Sequence, residues 1–300
     1  MTAKEKKLEV TIGADPELFV FDTETKKFVS AHDLVPGTKA EPLAVPRGAV
    51  QVDGVAAEFN ILPAKTQKEF LANINRVRSV LELIIKDKNK NYKLVGAPTA
   101  KFDYEYFNNL PHDVKILGCD PDYNAYTGGI NHKPSTDLPM RSGGGHVHIG
   151  FLHEELDNPF TLEHMRRCGE LTRELDFALI NASREWDFDI ERKRLYGEPG
   201  SFRPKSYGVE YRPLSNAWLN QDWSTTFVFD TVKAVTCRWL QGWSLTKAAG
   251  EQKVRQNDDL FVFSEFMHKN HMPPLDQYSP RLEALQLRRL QAVSSLQGVH

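Results

Sequence analysis

Residues 143–150 read Gly-Gly-Gly-His-Val-His-Ile-Gly. Side chains alternate between faces on a β-strand. His146 and His148 therefore point one way, and Val147 and Ile149 the other. Two imidazoles backed by buried aliphatics suit a reactive sheet face; the plain alternative is a pair of structural histidines. Three other segments repeat the design with carboxylates. In Gly13–Asp22, Asp15 and Glu17 share one face, with Leu18 and Val20 on the other. In Val50–Asn60, the Asp53-Gly54 dipeptide marks a hairpin turn between apolar runs. On the returning strand Glu58 and Asn60 oppose Ala57 and Phe59. In Tyr207–Arg212, Glu210 and Arg212 oppose Val209 and Tyr211.

Gathered on one face, Asp15, Glu17, Asp53, Glu58 and Glu210 repel one another. Two like charges ~4 Å apart cost about 4 kcal/mol at a moderate effective dielectric. Protonation, pairing with arginine or metal binding each relieves that repulsion. Hard oxygen ligands with an imidazole suit Mg2+ or Mn2+ better than Zn2+. Such a set also holds a nucleoside triphosphate through its phosphates. Arg212 has the charge to neutralise an anionic substrate or a transferring phosphoryl group. Taken singly, each segment has a bland reading. Asp-Pro-Glu is a common turn, Asp-Gly marks a turn and nothing more, and Glu-x-Arg is usually a surface ion pair of little worth.

As a set, the segments resemble the glutamine synthetase and glutamate–cysteine ligase superfamily, in particular its phage-type amidoligases, the type 2 COOH·NH2 ligases. Gly-Ala-Asp-Pro-Glu-Leu-Phe-Val-Phe-Asp (13–22), Gly-His-Val-His (145–148) and Glu-Tyr-Arg (210–212) carry the resemblance. Asp53 and Glu58 fall where the family has two spaced acids between those strands, and the order along the chain agrees. The resemblance spans roughly residues 11–220. It implies an α+β fold with a curved, mostly antiparallel sheet, an open half-barrel whose convex face carries the helices. It also implies an ATP-dependent carboxylate–amine ligase using ATP with Mg2+ or Mn2+. Glu17, Asp53 and Glu58 would form one metal site, and Asp15, His146 and Glu210 the other. The catalytic set would be Glu210, Arg212 and His148, with His148 near the phosphates and Arg212 on the substrate carboxylate or acyl phosphate. Gly143, Gly144 and Gly145 would pass close to the nucleotide. Asp15 and Asp53 stand where glutamine synthetase has glutamates, one methylene shorter in reach.

Between the His and Glu-Arg segments, residues 191–197 and 202–205 form a basic stretch broken by Gly and Pro, which reads as loop. It is either a solvated loop or a phosphate clamp. The resemblance favours Arg194 and Arg203 for the clamp, because the superfamily supplies arginines just ahead of its Glu-x-Arg strand.

A formal net charge of −2 over 300 residues argues against nucleic-acid binding as the main task. With 40 % hydrophobic residues the chain can bury a substantial core. A single domain over 1–300 is expected. Cys119, Cys168 and Cys237 are odd in number and widely spaced, so neither a disulfide framework nor a zinc ribbon is indicated. No secretory signal and no membrane-spanning run is apparent. A cytoplasmic setting is expected, the host cytoplasm if the chain is phage-encoded.

The elements follow from period and punctuation. Residues 9–22 read as one strand, 23–30 as a turn back, and 50–62 as a hairpin. Thr66 with Glu69 has the spacing of a capping box ahead of Phe70, Ile74, Val77, Leu81 and Ile84 at helical spacing. Residues 93–98 read as a strand and 103–142 as irregular; 119–126 either shapes a substrate pocket or is an ordered surface loop. Thr161 opens a second helix, and 223–245 holds a third. Helices are also expected over 251–268 and 280–296.

The expected partners are a small-molecule or peptide carboxylate and an amine, with no membrane; homo-oligomerisation is open. Two other functions compete with the ligase: a guanidino-kinase-like phosphotransferase, and a non-catalytic phage binding or structural protein that keeps the fold.

Overall fold

The computed structural model describes residues 9–116, 122–131, 138–187, 189, 192 and 196–250. The stretch expected as one strand over 9–22 is two, β1 (Thr11–Ala14) and β2 (Glu17–Asp22). Pro16 makes the break, because it has no N–H to give to a ladder. On one side Asp15 N–H reaches the His146 carbonyl at 3.4 Å and Glu17 N–H the Gly144 carbonyl at 2.9 Å. On the other the Pro16 carbonyl accepts from Phe59 N–H at 3.3 Å. The kinked segment thus joins two antiparallel ladders.

The remaining strands are β3 (Lys27–Val29), β4 (Leu43–Val45), β5 (Gly48–Asp53), β6 (Ala56–Ile61), β7 (Tyr92–Val95), β8 (Thr99–Lys101), β9 (Tyr123–Asn124), β10 (Met140–Ser142), β11 (Val147–Gly150), β12 (Ser201–Lys205) and β13 (Gly208–Tyr211). One ladder runs β1-β11-β13-β12-β9. The other runs β3-β2-β6-β5-β4, with β7 also on β2. β8 and β10 form a separate pair, and neither ladder closes into a barrel among the described residues. The β5–β6 hairpin turns at Asp53-Gly54 as expected, with Gly54 in the left-handed region at φ +57°.

Helices cover one face. α1 (Gln67–Lys88) packs on β5, β6 and β7. Thr66 caps it by accepting from Glu69 N–H, but the Glu69 carboxylate returns to Lys65 N–H and not to Thr66 N–H. The capping box is therefore shifted by one residue. The 103–142 segment is less irregular than expected: it holds α2 (Tyr104–Asn108), α3 (His112–Lys115), β9 and β10. α4 (Leu162–Ser183), capped by Thr161, packs on β12 and β13. α5 (Asp222–Leu240) packs on α1, α4 and β1, and a short α6 (Leu245–Gly250) follows. The helices expected over 251–268 and 280–296 lie outside the described residues.

The core between helices and sheet takes the aliphatic sides of the site strands: Ile12, Leu18, Ala57, Phe59, Val147, Ile149 and Val209. Phe70 of α1 stacks on Trp218 at 6.1 Å, and Trp218 Nε1–H donates to the Gly145 carbonyl at 3.0 Å. The core thereby grips the glycine run. A smaller core around Phe19, Val55, Phe102, Phe107 and Val114 seats α2 and α3 beside the β5–β6 turn. Cys168 is buried and Cys237 half-buried, while Cys119 lies outside the described residues. Among the described residues no helix is long and apolar enough to cross a membrane.

Candidate active site

Strand register assembles the site. Gly13, His148, Glu210 and Arg203 are successive cross-strand partners along one row of β1-β11-β13-β12. Gln51, Glu58 and Glu17 form a second row across β5-β6-β2. Side chains in such rows share a face. All but the buried Glu210 border an open cavity of about 730 Å³, lined by Asp15, Glu17, Asp53, Glu58, His146, His148, Arg203 and Arg212 among others, with Val114 of α3 on its wall. That volume suits a drug-sized or nucleotide-sized ligand. Four separate segments, 15–17, 53–58, 146–148 and 203–212, therefore meet at one surface.

The cavity has two electrostatic halves. In the basic half, Glu210 is fully buried and surrounded by cations. Arg212 bonds its Oε1, Lys205 Nζ lies 2.8 Å from Oε2, and Arg203 lies 3.3 Å from Oε2. Arg212 Nε also faces Asp122 Oδ1 at 3.1 Å, and its guanidinium lies over the Tyr196 ring at 5.4 Å. Asp15 Oδ1 lies 2.9 Å from His148 Nε2 and 3.5 Å from His146 Nδ1. His146 Nδ1 is 3.6 Å from Glu210 Oε1, and the Tyr207 hydroxyl bonds His148 Nδ1. Burial alone would raise the Asp15 carboxyl, but His148 and His146 outweigh it and hold it well below the usual range. Burial, with Arg212 beside it, pushes His146 down to about 4. Burial also opposes the charge of His148, yet Asp15 prevails and raises it.

The acidic half holds Glu17, Asp53 and Glu58. Burial and then Asp53 push Glu17 up to about 7, against a hydrogen bond from Gly144 N–H to its Oε2 at 2.8 Å. Burial followed by Asp15, Asp53 and Glu17 raises Glu58 well above the usual range. Arg212 offsets only part of the burial and repulsion at Glu17, and a proton or a divalent cation would supply the rest.

Both imidazoles stand beside Asp15, and His146 Nδ1 also lies near Glu210. Among the described residues, Asp15, His148 and Glu210 form a set able to hold an ion, with ligand atoms all within 4.8 Å of one another. The expected partner of Asp15 and Glu210 was His146. His146 sits deeper, its Nε2 buried and without a hydrogen-bond partner, while Arg212 NH1 lies 3.4 Å from its Nδ1.

Gly143, Gly144 and Gly145 do not line the cavity, contrary to the nucleotide-contact expectation. They are buried against protein. A Cβ on Gly143 would meet Asn216 Nδ2 at 2.2 Å, and one on Gly144 would meet His146 Nε2 at 2.3 Å. On Gly145 it would meet Ser215 O and Trp218 Nε1, both at 2.4 Å. The run is glycine because backbone, indole and imidazole crowd it, and its work is to orient Glu17 and His146.

Arg203 lines the cavity, while Arg194 lies outside the described residues. Arg192, in the same basic stretch, is fully buried. It donates to the carbonyls of Gly143, Pro213 and Leu214 at 3.2, 2.9 and 2.8 Å, clamping the glycine run to the segment after β13. Nothing local distinguishes Arg192 from Arg194. Residues 202–205, expected as loop, belong to β12, whose alternation puts Lys205 on one face with Arg203 at the cavity. Asp122 lies in the loop expected to shape a pocket or cover the surface, and it lines the cavity. Tyr196 and Tyr207 carried no sequence signal of a role at the cavity.

No protein-family model matches this chain, and no curated protein matches it. The functional reading therefore rests on the site itself.

Proposed function

We propose that this chain is an ATP-dependent carboxylate–amine ligase with the half-barrel architecture of the glutamine synthetase superfamily, its helices on the convex face. The observation that carries the reading is the convergence of Asp15, Glu17, Asp53, Glu58, His146, His148, Arg203 and Arg212 on one cavity, charge-divided into acidic and basic halves. In the proposed reaction a substrate carboxylate attacks the γ-phosphoryl group of ATP, giving an acyl phosphate and releasing ADP, and an amine then displaces phosphate from the acyl phosphate to give the amide.

Divalent metal fits the donors. Asp15, His148 and Glu210 cluster within ligand range, with Asp15 Oδ1 and His148 Nε2 facing each other at 2.9 Å. Glu17, Asp53 and Glu58 offer hard oxygens whose repulsion a cation would relieve. Bound Mg2+ or Mn2+ would neutralise phosphate oxygens at these residues. The rest falls to the chain. Phosphoryl transfer needs positioned positive charge more than covalent help. Arg203, Lys205 and Arg212 line the half where an anionic substrate or the transferring group would sit. Arg212 is pre-aligned by Asp122, Glu210 and the Tyr196 face. His148, held between Asp15 and Tyr207, is placed to exchange a proton at that end.

Calorimetric titration with ATP and Mg2+ tests the reading. Metal-dependent binding, weakened by Glu210→Gln and by His146→Ala, is the expected result. Absence of binding at millimolar nucleotide would overturn it. An amide with free phosphate as products separates the ligase from a phosphotransferase, which would leave a stable phosphorylated compound.

A further inference from the structure

We propose that Asp176, on the helix-covered face of the sheet, is a positioning residue for Arg212. The functional weight of Arg212 rests on the ligase reading above; the positioning itself does not.

Asp176 lies on α4 and is buried. Its Oδ1 accepts from the Tyr211 hydroxyl at 2.9 Å, and its Oδ2 from Gly200 N–H at 2.6 Å. The Tyr126 hydroxyl is hydrogen-bonded to it as well. The three partners come from three segments, each of which delivers residues to the cavity. Tyr211 ends β13 between Glu210 and Arg212; its ring passes to the helix side while Arg212 lines the cavity. Gly200 leads directly into β12, which carries Arg203 and Lys205. Tyr126 sits four residues beyond Asp122, the acid that faces Arg212 Nε.

The segments are also tied to one another around Arg212. Its backbone N–H donates to the Ser201 carbonyl at 3.1 Å. Asn131 Nδ2 donates to Ser201 Oγ at 2.9 Å and to Asp122 Oδ2 at 3.3 Å. Gly200 is at φ +87°, and a Cβ there would meet Tyr126 Cδ2 at 2.6 Å and Asn124 Oδ1 at 2.8 Å. Only glycine lets that N–H reach the carboxylate while Tyr126 stays packed. A buried carboxylate under a sheet is less favourable than an aliphatic side chain unless its hydrogen bonds are needed. Here they fix the relative placement of Tyr211, Gly200 and Tyr126, and with them both acidic partners of Arg212.

The test uses the full chain without nucleotide. The Arg212 Nε–H signal in a 1H–15N spectrum, assigned through Arg212→Lys, reports the guanidinium directly. In folded Asp176→Asn and in Tyr211→Phe this signal should shift and exchange faster with water, and more so in Asp176→Ala. An unchanged signal in both of the milder variants, with melting temperatures confirming folded chains, would overturn the proposal. A second arm measures Mg–ATP affinity in a double-mutant cycle. Asp176→Asn should weaken binding about 5-fold in the wild-type background and hardly at all alongside Arg212→Lys. Equal losses in both backgrounds would mean a general structural role and would also overturn it. If the wild type binds no Mg–ATP, the ligase reading fails while the Arg212 signal still decides the role of Asp176.

Discussion

Glu17 on β2 and Glu58 on β6 are direct cross-strand partners, two carboxylates in register on the cavity face. Like charges placed so oppose pairing. The fold nevertheless holds them there, with Asp53 at the adjoining turn raising both. Such an arrangement disfavours its own ionised state, and this pair defines the acidic half of the cavity.

The pair makes stability depend on pH in a definite sense. A carboxyl raised from its ordinary value to about 7 binds its proton more tightly in the folded chain. Its contribution is therefore most favourable at low pH and is lost as pH rises from the unfolded value through about 7. At pH 8 and without metal, Glu17→Gln should be more stable than wild type by about 1–3 kcal/mol. At pH 4 the difference should shrink towards zero. Urea denaturation in chelator at the two values measures it; a Gln variant less stable than wild type at pH 8 would contradict the shift.

Divalent metal should reverse that penalty. At about 100 times its dissociation constant, Mg2+ or Mn2+ bound to the native site adds about 2.7 kcal/mol of stability. The wild-type melting temperature should rise accordingly and fall back on adding chelator. Glu58→Gln should respond less. Calorimetric scans of the metal-free and metal-loaded chains give the comparison, and equal responses would exclude Glu58 as a ligand.

Crowding at the glycine run predicts damage to folding before any damage to binding. Gly145→Ala places a methyl against the Ser215 carbonyl and the Trp218 indole nitrogen. A loss of about 1–3 kcal/mol is expected, visible as a lower urea midpoint with the slope unchanged. Had these glycines merely let a nucleotide approach, stability would be untouched and only affinity would fall.

Removing Arg192 should be severe. Arg192→Met leaves the carbonyls of Gly143, Pro213 and Leu214 without their guanidinium donor in a buried place. A loss of about 2–4 kcal/mol follows. Arg203→Met, at the half-exposed cavity wall, should cost less stability and more ligand affinity. Parallel denaturation and calorimetry of the two variants separate strut from ligand contact.

What the sequence alone determined is what depends on neighbours along the chain. Strand alternation put His146 with His148, Glu58 with Asn60, and Glu210 with Arg212, because a two-residue period needs only φ and ψ. Thr66 and Thr161 announced helix starts, and Asp53-Gly54 announced its turn, through backbone chemistry confined to a few residues. Pro16 was visible too, yet its consequence was not: the break matters because Asp15 and Glu17 reach carbonyls of the 144–146 segment. Tertiary structure decided the remainder. Cross-strand register brought His148 next to Asp15 and left His146 beneath Arg212. Packing, not ligand approach, set the glycine run, and it selected Arg192 as a buried strut. Of the three cations around Glu210, two come from β12 and the third directly follows β13, and the Asp122 partner of Arg212 comes from a loop some ninety positions away. Such contacts depend on how separate segments meet in space, which no window of local sequence encodes.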